Sequence, residues 1–350
     1  MLCINDLHIG VNRSGGTTPQ SQAALRDNLR LFLAHTLYSE NGAVTVNGDL
    51  FDSFTVDTKE VVKTAAILTD WLDGDADRSL NLISGNHDYN PRGDKLSSFH
   101  LLWHILDMSA VAHRVTVFDR GFEQVSPNLW CIPSMPNQSL FDLEIAKAAT
   151  RPESAKYLLL HCNYKNGFAE NSDHSLNIND DQVGALMRAG WDLILGHEHQ
   201  GYDLRGGRVV VVGNQVPSSI ADCLGNKTKR MVRITDDGLK FEETWVADGS
   251  YIEANWRDLP DLDGYQFIRV TGDATALEAA DVIKVVSKLR QRSEAFVITN
   301  AVKIEGHSMS EEMAETSIES IKSFDILASI LAELNEQEQE VVKGLLKHGD

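Results

Sequence analysis

The chain has 350 residues, 42% of them apolar and 24% charged, with 32 Lys and Arg set against 51 Asp and Glu for a formal charge of −19. It is too long for one ordinary core, has no run near the roughly 18 apolar residues of a membrane span, and is too acidic to hold phosphate on a surface of Lys and Arg alone. Part of the acidity is local, because Glu305 to Asp350 holds eleven acids against three lysines.

Met1-Leu-Cys-Ile4 enters a strand pattern at once, which leaves no space for a secretory leader and sets the expectation of a cytoplasmic protein. There Cys3, Cys131, Cys162 and Cys223, widely spaced and without a Cys-x-x-Cys pair, are expected to be reduced and buried. Asp6 and His8 close the first strand. Ser21 to Ser39 follows with helical spacing of Ala24, Leu25, Leu29, Leu31 and Phe32. Ala43 to Val46 predicts a buried strand that stops at Gly48-Asp49-Leu50-Phe51-Asp52, and Leu80 to Ile83 another that stops at Gly85-Asn86-His87-Asp88. Tyr157 to Leu160 runs into His161, and Asp192 to Leu195 into Gly196-His197-Glu198-His199. This alternation is α/β, and polar clusters at the carboxyl ends of neighbouring strands lie where open α/β sheets place their sites.

Arg208 to Val212, Lys229 to Ile234 and Leu239 to Val246 predict consecutive strands that close the domain as an antiparallel meander. From Asp258 the pattern restarts as strand Tyr265 to Val270, helix Thr275 to Arg292 and strand Ala295 to Ile304, a β-α-β unit. Glu305 to Lys322 is rich in Glu, Ser and Met and reads as a linker. Beyond it Phe324, Ile326, Leu327, Ile330, Leu331 and Leu334, then Val341, Val342, Leu345 and Leu346, predict two short amphipathic helices with too little chain around them to bury their faces alone. The expected divisions are therefore a first domain over 1–257, a second over 258–304, a linker over 305–322 and a helical docking segment over 323–350.

Aspartate, asparagine and histidine form a mixed oxygen and nitrogen donor set, suited to Mn, Fe or Zn rather than to a thiolate site or an all-oxygen cage. Buried carboxylates and imidazoles are costly unless paired or metal-bound. Any one of these clusters is a common accident; five in order, each after a strand, are not. Glycines 48, 85 and 196 supply permissive backbone where each strand must turn sharply.

On these residues the chain resembles the calcineurin-like metallophosphoesterases over roughly its first 200 positions. Within them it is similar to the SbcD-type nuclease subunits of DNA break repair and recombination, including the short phage form. That narrower likeness rests on Gly48-Asp-Leu-Phe-Asp52, the Val212 to Ser219 stretch, the β-α-β unit and the terminal helical pair. The resemblance implies a two-sheet αββα sandwich with a small β-α-β cap domain and C-terminal helices. It implies two divalent metal ions, Mn2+ by preference, one held by Asp6, His8, Asp49 and His199 and the other by Asp49, Asn86, His161 and His197, with Asp49 bridging. Such a pair can activate a shared water and clamp phosphodiester oxygens during in-line attack. His87 is assigned by the resemblance to the substrate as the catalytic side chain, with Asp52 or Asp88 as the partner orienting its ring; Asp52 stands where archaeal and eukaryotic members carry a histidine. The resemblance further implies DNA as substrate, a homodimer, and an SMC-like coiled-coil ATPase of the SbcC type docked through residues 323–350.

Arg13, Arg92, Lys95 and Lys165 follow the clusters and could reach flanking phosphates, as could Lys284, Lys288, Arg290 and Arg292 on the helix of the β-α-β unit, although solvated charge is the commoner role for each. His35, His100, His104 and His113 read as structural. His174, in the polar loop Asn163 to Asn179, reads as exposed or substrate-facing. Two rival readings stand beside the nuclease: a stand-alone metallophosphatase or phosphodiesterase on nucleotides or phosphoproteins, and a scaffold with a degenerate site.

Overall fold

The computed structural model describes residues 1–12, 17–89, 95–150, 155–165, 175–225, 228–235, 237–246 and 250–305. Strand β1 (Leu2–Ile4) leads to helix α1 (Pro19–Tyr38), β2 (Ala43–Asn47), α2 (Thr58–Asp73), β3 (Ser79–Ile83), α3 (Ser98–Asp107) and β4 (Val115–Phe118). Strands β5 (Glu123–Ser126) and β6 (Leu129–Ile132) precede α4 (Gln138–Ala148), β7 (Tyr157–His161), β8 (Asn163–Tyr164), β9 (Asn177–Ile178), α5 (Asp180–Arg188) and β10 (Asp192–Gly196). Next come β11 (Tyr202–Leu204), β12 (Val209–Val211), the single turn α6 (Ala221–Leu224), β13 (Thr228–Thr235) and β14 (Gly238–Val246). The described chain ends with β15 (Tyr251–Asn255), β16 (Phe267–Thr271), β17 (Asp273–Ala274), α7 (Ala279–Arg292), β18 (Val297–Asn300) and β19 (Lys303–Ile304).

Two six-stranded sheets stack face to face. In the first, β1 to β4 lie parallel in chain order and the β13–β14 hairpin adds antiparallel beside β1. In the second, β12, β10, β7 and β6 are parallel, with β11 and β5 antiparallel at the edges. The period of two along a strand sorts each apolar run between two cores. Leu2 and Ile4 pack with α1 to α3 while Cys3 faces the other sheet; Leu158 and Leu160 pack with α4 and α5 while Tyr157 and Leu159 lie between the sheets. With both faces buried, the parallel strands are mostly apolar, and the two polar residues inside β2 and β3, Thr45 and Asn81, bond each other at 3.2 Å. The order of layers is helix, sheet, sheet, helix, the two-sheet sandwich that the resemblance implied; the strand-and-helix alternation anticipated only α/β.

The helices form for local reasons and are held by their apolar faces. On α2, Val61, Ala65, Leu68 and Leu72 recur at helical spacing and are buried on the first sheet, while Asp57 caps the start by accepting from Lys59 N. Each such buried leucine contributes about 1.5–3 kcal/mol. Thr18 and Ser21 form a capping box ahead of α1, and Asn179 and Gln182 another ahead of α5.

Two sequence expectations change here. The meander does not form: β12 joins the second sheet, parallel to β10 and antiparallel to β11, while β13 and β14 pair antiparallel in the first sheet. The residues of β12 are buried, so the Val run could serve either sheet, and the connection after it carries the chain from one sheet to the other. Second, β15, on the N-terminal side of residue 257, pairs in parallel with β16, giving a three-stranded sheet with β18 over which α7 crosses. The core of this module includes Ile268, Val270, Val282, Val286 and Ile298. An apolar cluster of Phe267 and Val297 with Leu25, Leu29, Val216 and Ile220 joins it to the two-sheet body, and Met1–His307 form one unit. The linker beyond Glu305 and the 323–350 segment lie outside the described residues. Among the described residues no helix is long and apolar enough to cross a membrane.

Candidate metal centre

The carboxyl ends of β1, β2 and β3 in one sheet and of β7 and β10 in the other meet at one edge of the sandwich. Their junction is stitched by the buried Asn47, whose side chain donates to Leu160 O at 3.1 Å and whose carbonyl accepts from His161 Nδ1 at 3.0 Å. Asp6, His8, Asp49 and His161 are all 1–2% exposed there. His8 Nε2 lies 2.9 Å from His199 Nε2 and 3.9 Å from Asp49 Oδ2. On the other side of Asp49, His161 Nε2 is 3.3 Å from Asp49 Oδ2 and 3.2 Å from Asn86 Oδ1, which in turn lies 2.9 Å from His197 Nδ1. Asp6, His8 and His199 form one group able to hold a metal ion, and Asp49, His161 and His197 another; a third, His8, Asp49 and His87, overlaps both. All seven side chains implied as ligands thus come together, with Asp49 between the two groups.

The tautomers carry the chemistry. The Asn47 carbonyl can only accept, so His161 keeps a proton on Nδ1 and directs Nε2 inward, toward Asp49 and Asn86. His199 Nδ1 donates to Asp222 Oδ1 at 2.8 Å, and His8 Nδ1 faces Asp52 Oδ1 at 3.4 Å. His8 and His199 bring their Nε2 atoms to 2.9 Å, a distance at which one ring donates to the other or both ligate a cation between them. Ligand bonds of about 2.0–2.2 Å place neighbouring donors about 3.0–3.5 Å apart; the contacts of His161 Nε2 with Asp49 and Asn86, at 3.3 and 3.2 Å, fall in that range, and the two at 2.9 Å lie just below it. A divalent ion fits the donor set in both groups.

The backbone is bent to serve this convergence. Asp6, His8, Asp49 and His197 adopt left-handed conformations, with φ of 51°, 46°, 48° and 87°, and non-glycine residues held so cluster at functional sites. The glycines divide by cause. Gly48 has φ of +85° and so needs permissive backbone. Gly85 and Gly196 do not have positive φ and are required for space instead: a Cβ on Gly85 would fall 2.1 Å from Asp49 Oδ1, and one on Gly196 2.9 Å from Asn47 O.

Electrostatics follow the packing. Without an ion, burial draws the His161 imidazole down, but the charge and hydrogen bond of Asp49, with Asp6 and the Asn47 carbonyl, together outweigh it and lift the pKa to about 9, so the ion-free ring also carries a proton on Nε2 that a bound ion would displace. Burial, then repulsion from His161, lowers His197 to about 3. Burial opposes ionisation of Asp49, yet His161 and His87 hold it well below the usual carboxylate range.

His87 sits at the rim, with its side chain 40% exposed, its Nε2 4.0 Å from Asp49 Oδ2 and its ring edge-on to His8. Its expected supports are differently employed. Asp52 backs His8 with its carboxylate and meets the His87 ring through its backbone carbonyl. Asp88 accepts from the backbone N–H groups of Leu50, Phe51 and Gly85 at 3.3, 3.2 and 3.0 Å, tying the second polar cluster to the third instead of orienting the His87 ring.

Among the basic residues, Lys165 is paired with Asp180, which also takes Arg205 at 2.8 Å. Lys284 and Lys288 are exposed on α7. Arg13, Arg92 and His174 lie outside the described residues. His100 bonds Ser97 and Asp119, His104 stacks on Trp103, and His35 and His113 are exposed. Sequence reasoning passed over Asn5, Asn47, Gln215, Asp222 and Lys229, buried polar residues next to the ligands. The one available signal was the Val212 to Ser219 stretch, which entered the sequence reading only as part of the resemblance.

No family model and no curated protein matches this chain. Among solved structures it is similar to a dimetal phosphatase from Danio rerio, at 11% identity over 70% of this chain and 95% of that one, with a TM-score of 0.37. It is also similar to the cold-active protein-tyrosine phosphatase of a psychrophilic Shewanella species, at 13% identity over 69% and 79% of the two chains, with a TM-score of 0.32.

Proposed function

We propose that the chain is a metal-dependent phosphoesterase, and more narrowly a Mn2+-dependent DNA exonuclease and endonuclease subunit acting in the cytoplasm with an SMC-like ATPase in break processing or recombination. The observation that carries the first step is the convergence of two groups of side chains able to hold an ion, Asp6, His8 and His199 beside Asp49, His161 and His197, with His8 Nε2 and His199 Nε2 2.9 Å apart and their Nδ1 atoms facing Asp52 and Asp222. Asp6, His8, Asp49 and His199 would hold one ion, and Asp49, Asn86, His161 and His197 the other. Bound there, such ions supply Lewis-acid polarisation of a phosphoryl group and an activated water.

The protein's own part is positional. Burial of Asp6, Asp49 and His161 excludes bulk water from the floor of the site, where charge interactions are strongest. His87, half-exposed at the mouth, is placed to donate to a phosphate oxygen or to the leaving oxygen. The DNA-directed step is supported by the resemblance, by the fused β-α-β module and by the exposed Lys284 and Lys288 on its helix. Docking of the ATPase through residues 323–350 and a homodimer through helices of the first domain belong to the same reading; Leu31 on α1 and Val62 on α2 are exposed apolar side chains available for the latter.

A stand-alone phosphatase on small esters is the second reading, favoured by the −19 charge and by the engagement of Lys165 with Asp180. Incubating the purified protein and Mn2+ with linear duplex DNA or with small phosphate esters separates the two, and hydrolysis of the esters alone rejects the nuclease. Deletion of residues 323–350 should abolish co-purification with a coiled-coil ATPase while leaving metal-dependent hydrolysis in place; a deleted chain that still co-purifies rejects the docking role.

A further inference from the structure

We infer that the segment Gly213–Asp222 positions one half of the metal centre, so that Asp222 governs the affinity of one ion and leaves the other unchanged; this rests on the two-metal reading above. The segment follows β12 and crosses from the second sheet toward β13 in the first. Asp222, 2% exposed, has both carboxylate oxygens engaged. Oδ1 accepts from His199 Nδ1 at 2.8 Å, and Oδ2 accepts from Ser218 N, Ser218 Oγ and Ser219 N at 2.7, 2.9 and 3.0 Å. The carboxylate is thus fixed by its own segment before it fixes the imidazole. The His199 carbonyl is held as well, by the buried Lys229 Nζ at 3.1 Å and by Asn214 N at 3.3 Å.

The same segment reaches Asp6. Gln215, fully buried, accepts from Asn5 N at 2.7 Å and donates to Asn5 Oδ1 at 3.1 Å, and Asn5 Nδ2 donates to Gly213 O at 3.0 Å and to an Asp6 carboxylate oxygen. Two ligands of one ion, Asp6 and His199, are therefore held from Gly213–Asp222. The other group has separate supports: His161 is set by the Asn47 carbonyl, and the turn bearing Asn86 by Asp88. Besides the shared Asp49, His197 N links the halves by donating to both Asp6 oxygens, at 3.1 and 3.0 Å.

A carboxylate on the far nitrogen of a liganding imidazole fixes its tautomer and raises the basicity of the inward nitrogen, and losing such a partner typically costs about 10–100-fold in metal affinity. The loss should fall on one ion only. Asp222 is a positioning residue in this scheme, acting through His199.

The test is Mn2+ titration by calorimetry of the full-length chain after chelation, with bound metal counted per chain and melting temperatures taken in chelator. Wild type should bind two ions. Asp222→Ala should bind one with wild-type affinity and the other about 10–100-fold more weakly; Asp222→Asn, which keeps one acceptor oxygen and nearly the same volume, should fall between and is the form to read should the alanine form not fold. Asn86→Ala should weaken the opposite ion. Asp222 variants that bind both ions as wild type does, or that weaken both equally with a lowered melting temperature, overturn the inference. A wild-type chain that binds no ion at any concentration tried overturns the two-metal reading itself.

Discussion

Substituting Gly48 by alanine puts a methyl group against a fully buried ligand side chain, that of His161, and the structure supplies its own control. Gly48 and Gly206 both have left-handed backbone, with φ of +85° and +69°, so an L-residue at either position carries about 1–2 kcal/mol of backbone strain. Around Gly206 there is nothing within 4 Å, whereas a Cβ on Gly48 would lie 1.9 Å from His161 Nδ1 and 2.5 Å from both Cγ and Cε1. Relief to an ordinary contact of about 3.4 Å requires the ring to retreat by about 1.5 Å, and the ring is enclosed on all sides. Retreat breaks the 3.0 Å bond to the Asn47 carbonyl, leaving a buried donor and acceptor unmet at about 1–3 kcal/mol. It also withdraws Nε2 from Asp49 and Asn86, and a 1 Å misplacement in a reacting constellation can cost about 10²-fold in rate. Gly48→Ala should therefore lose about 2–5 kcal/mol of stability in urea denaturation, hold fewer ions per chain and turn over about 100-fold more slowly on a phosphodiester. Gly206→Ala should show only the backbone cost. Equal ion content and equal turnover in the two variants would refute the reasoning.

His87→Ala should retain wild-type metal content while losing turnover, whereas Asp49→Ala should lose both; equal kcat in wild type and His87→Ala removes the role assigned to that ring. Hydrogen bonds from Arg233, outweighing partial burial, hold Glu242 below its ordinary 4.5, so its stabilising effect is fully present above that value and fades as pH falls through the lowered one. The gap in melting temperature between wild type and Glu242→Gln should accordingly be small at neutral pH, as for any surface pair, and close on acidification below about 4.5; a gap that widens in acid contradicts the assignment. All four cysteines are buried, and burial pushes the thiols of Cys3 and Cys223 up to about 12. A thiol reagent at neutral pH should therefore label none of them in folded protein and all four in guanidinium.

The strands and the polar clusters behind them were legible in the sequence because both signals are local. A short, mostly apolar run that stops at a glycine and an acid or amide defines where a strand ends, as at β2 and β3, whatever lies across the sheet. Helix faces were legible for the same reason, and a resemblance carried by those clusters grouped the ligands. Two things were not local. A strand buried on both faces, such as β12, has no polar side to show which sheet it joins, and the partner of β15 lies beyond a loop that the sequence read as a boundary.

The support of the ligands was the other matter only the tertiary structure decided. Asp222, Gln215, Asn47 and Lys229 look like ordinary turn and strand residues, and each acquires meaning from a neighbour far along the chain: His199, Asn5, His161 and His199 again. Which imidazole nitrogen bears the proton depends on what accepts it, and that acceptor is brought in by packing of the two sheets. Residue type and order set which donors could bind an ion; hydrogen bonds made across the fold set the direction in which their lone pairs point.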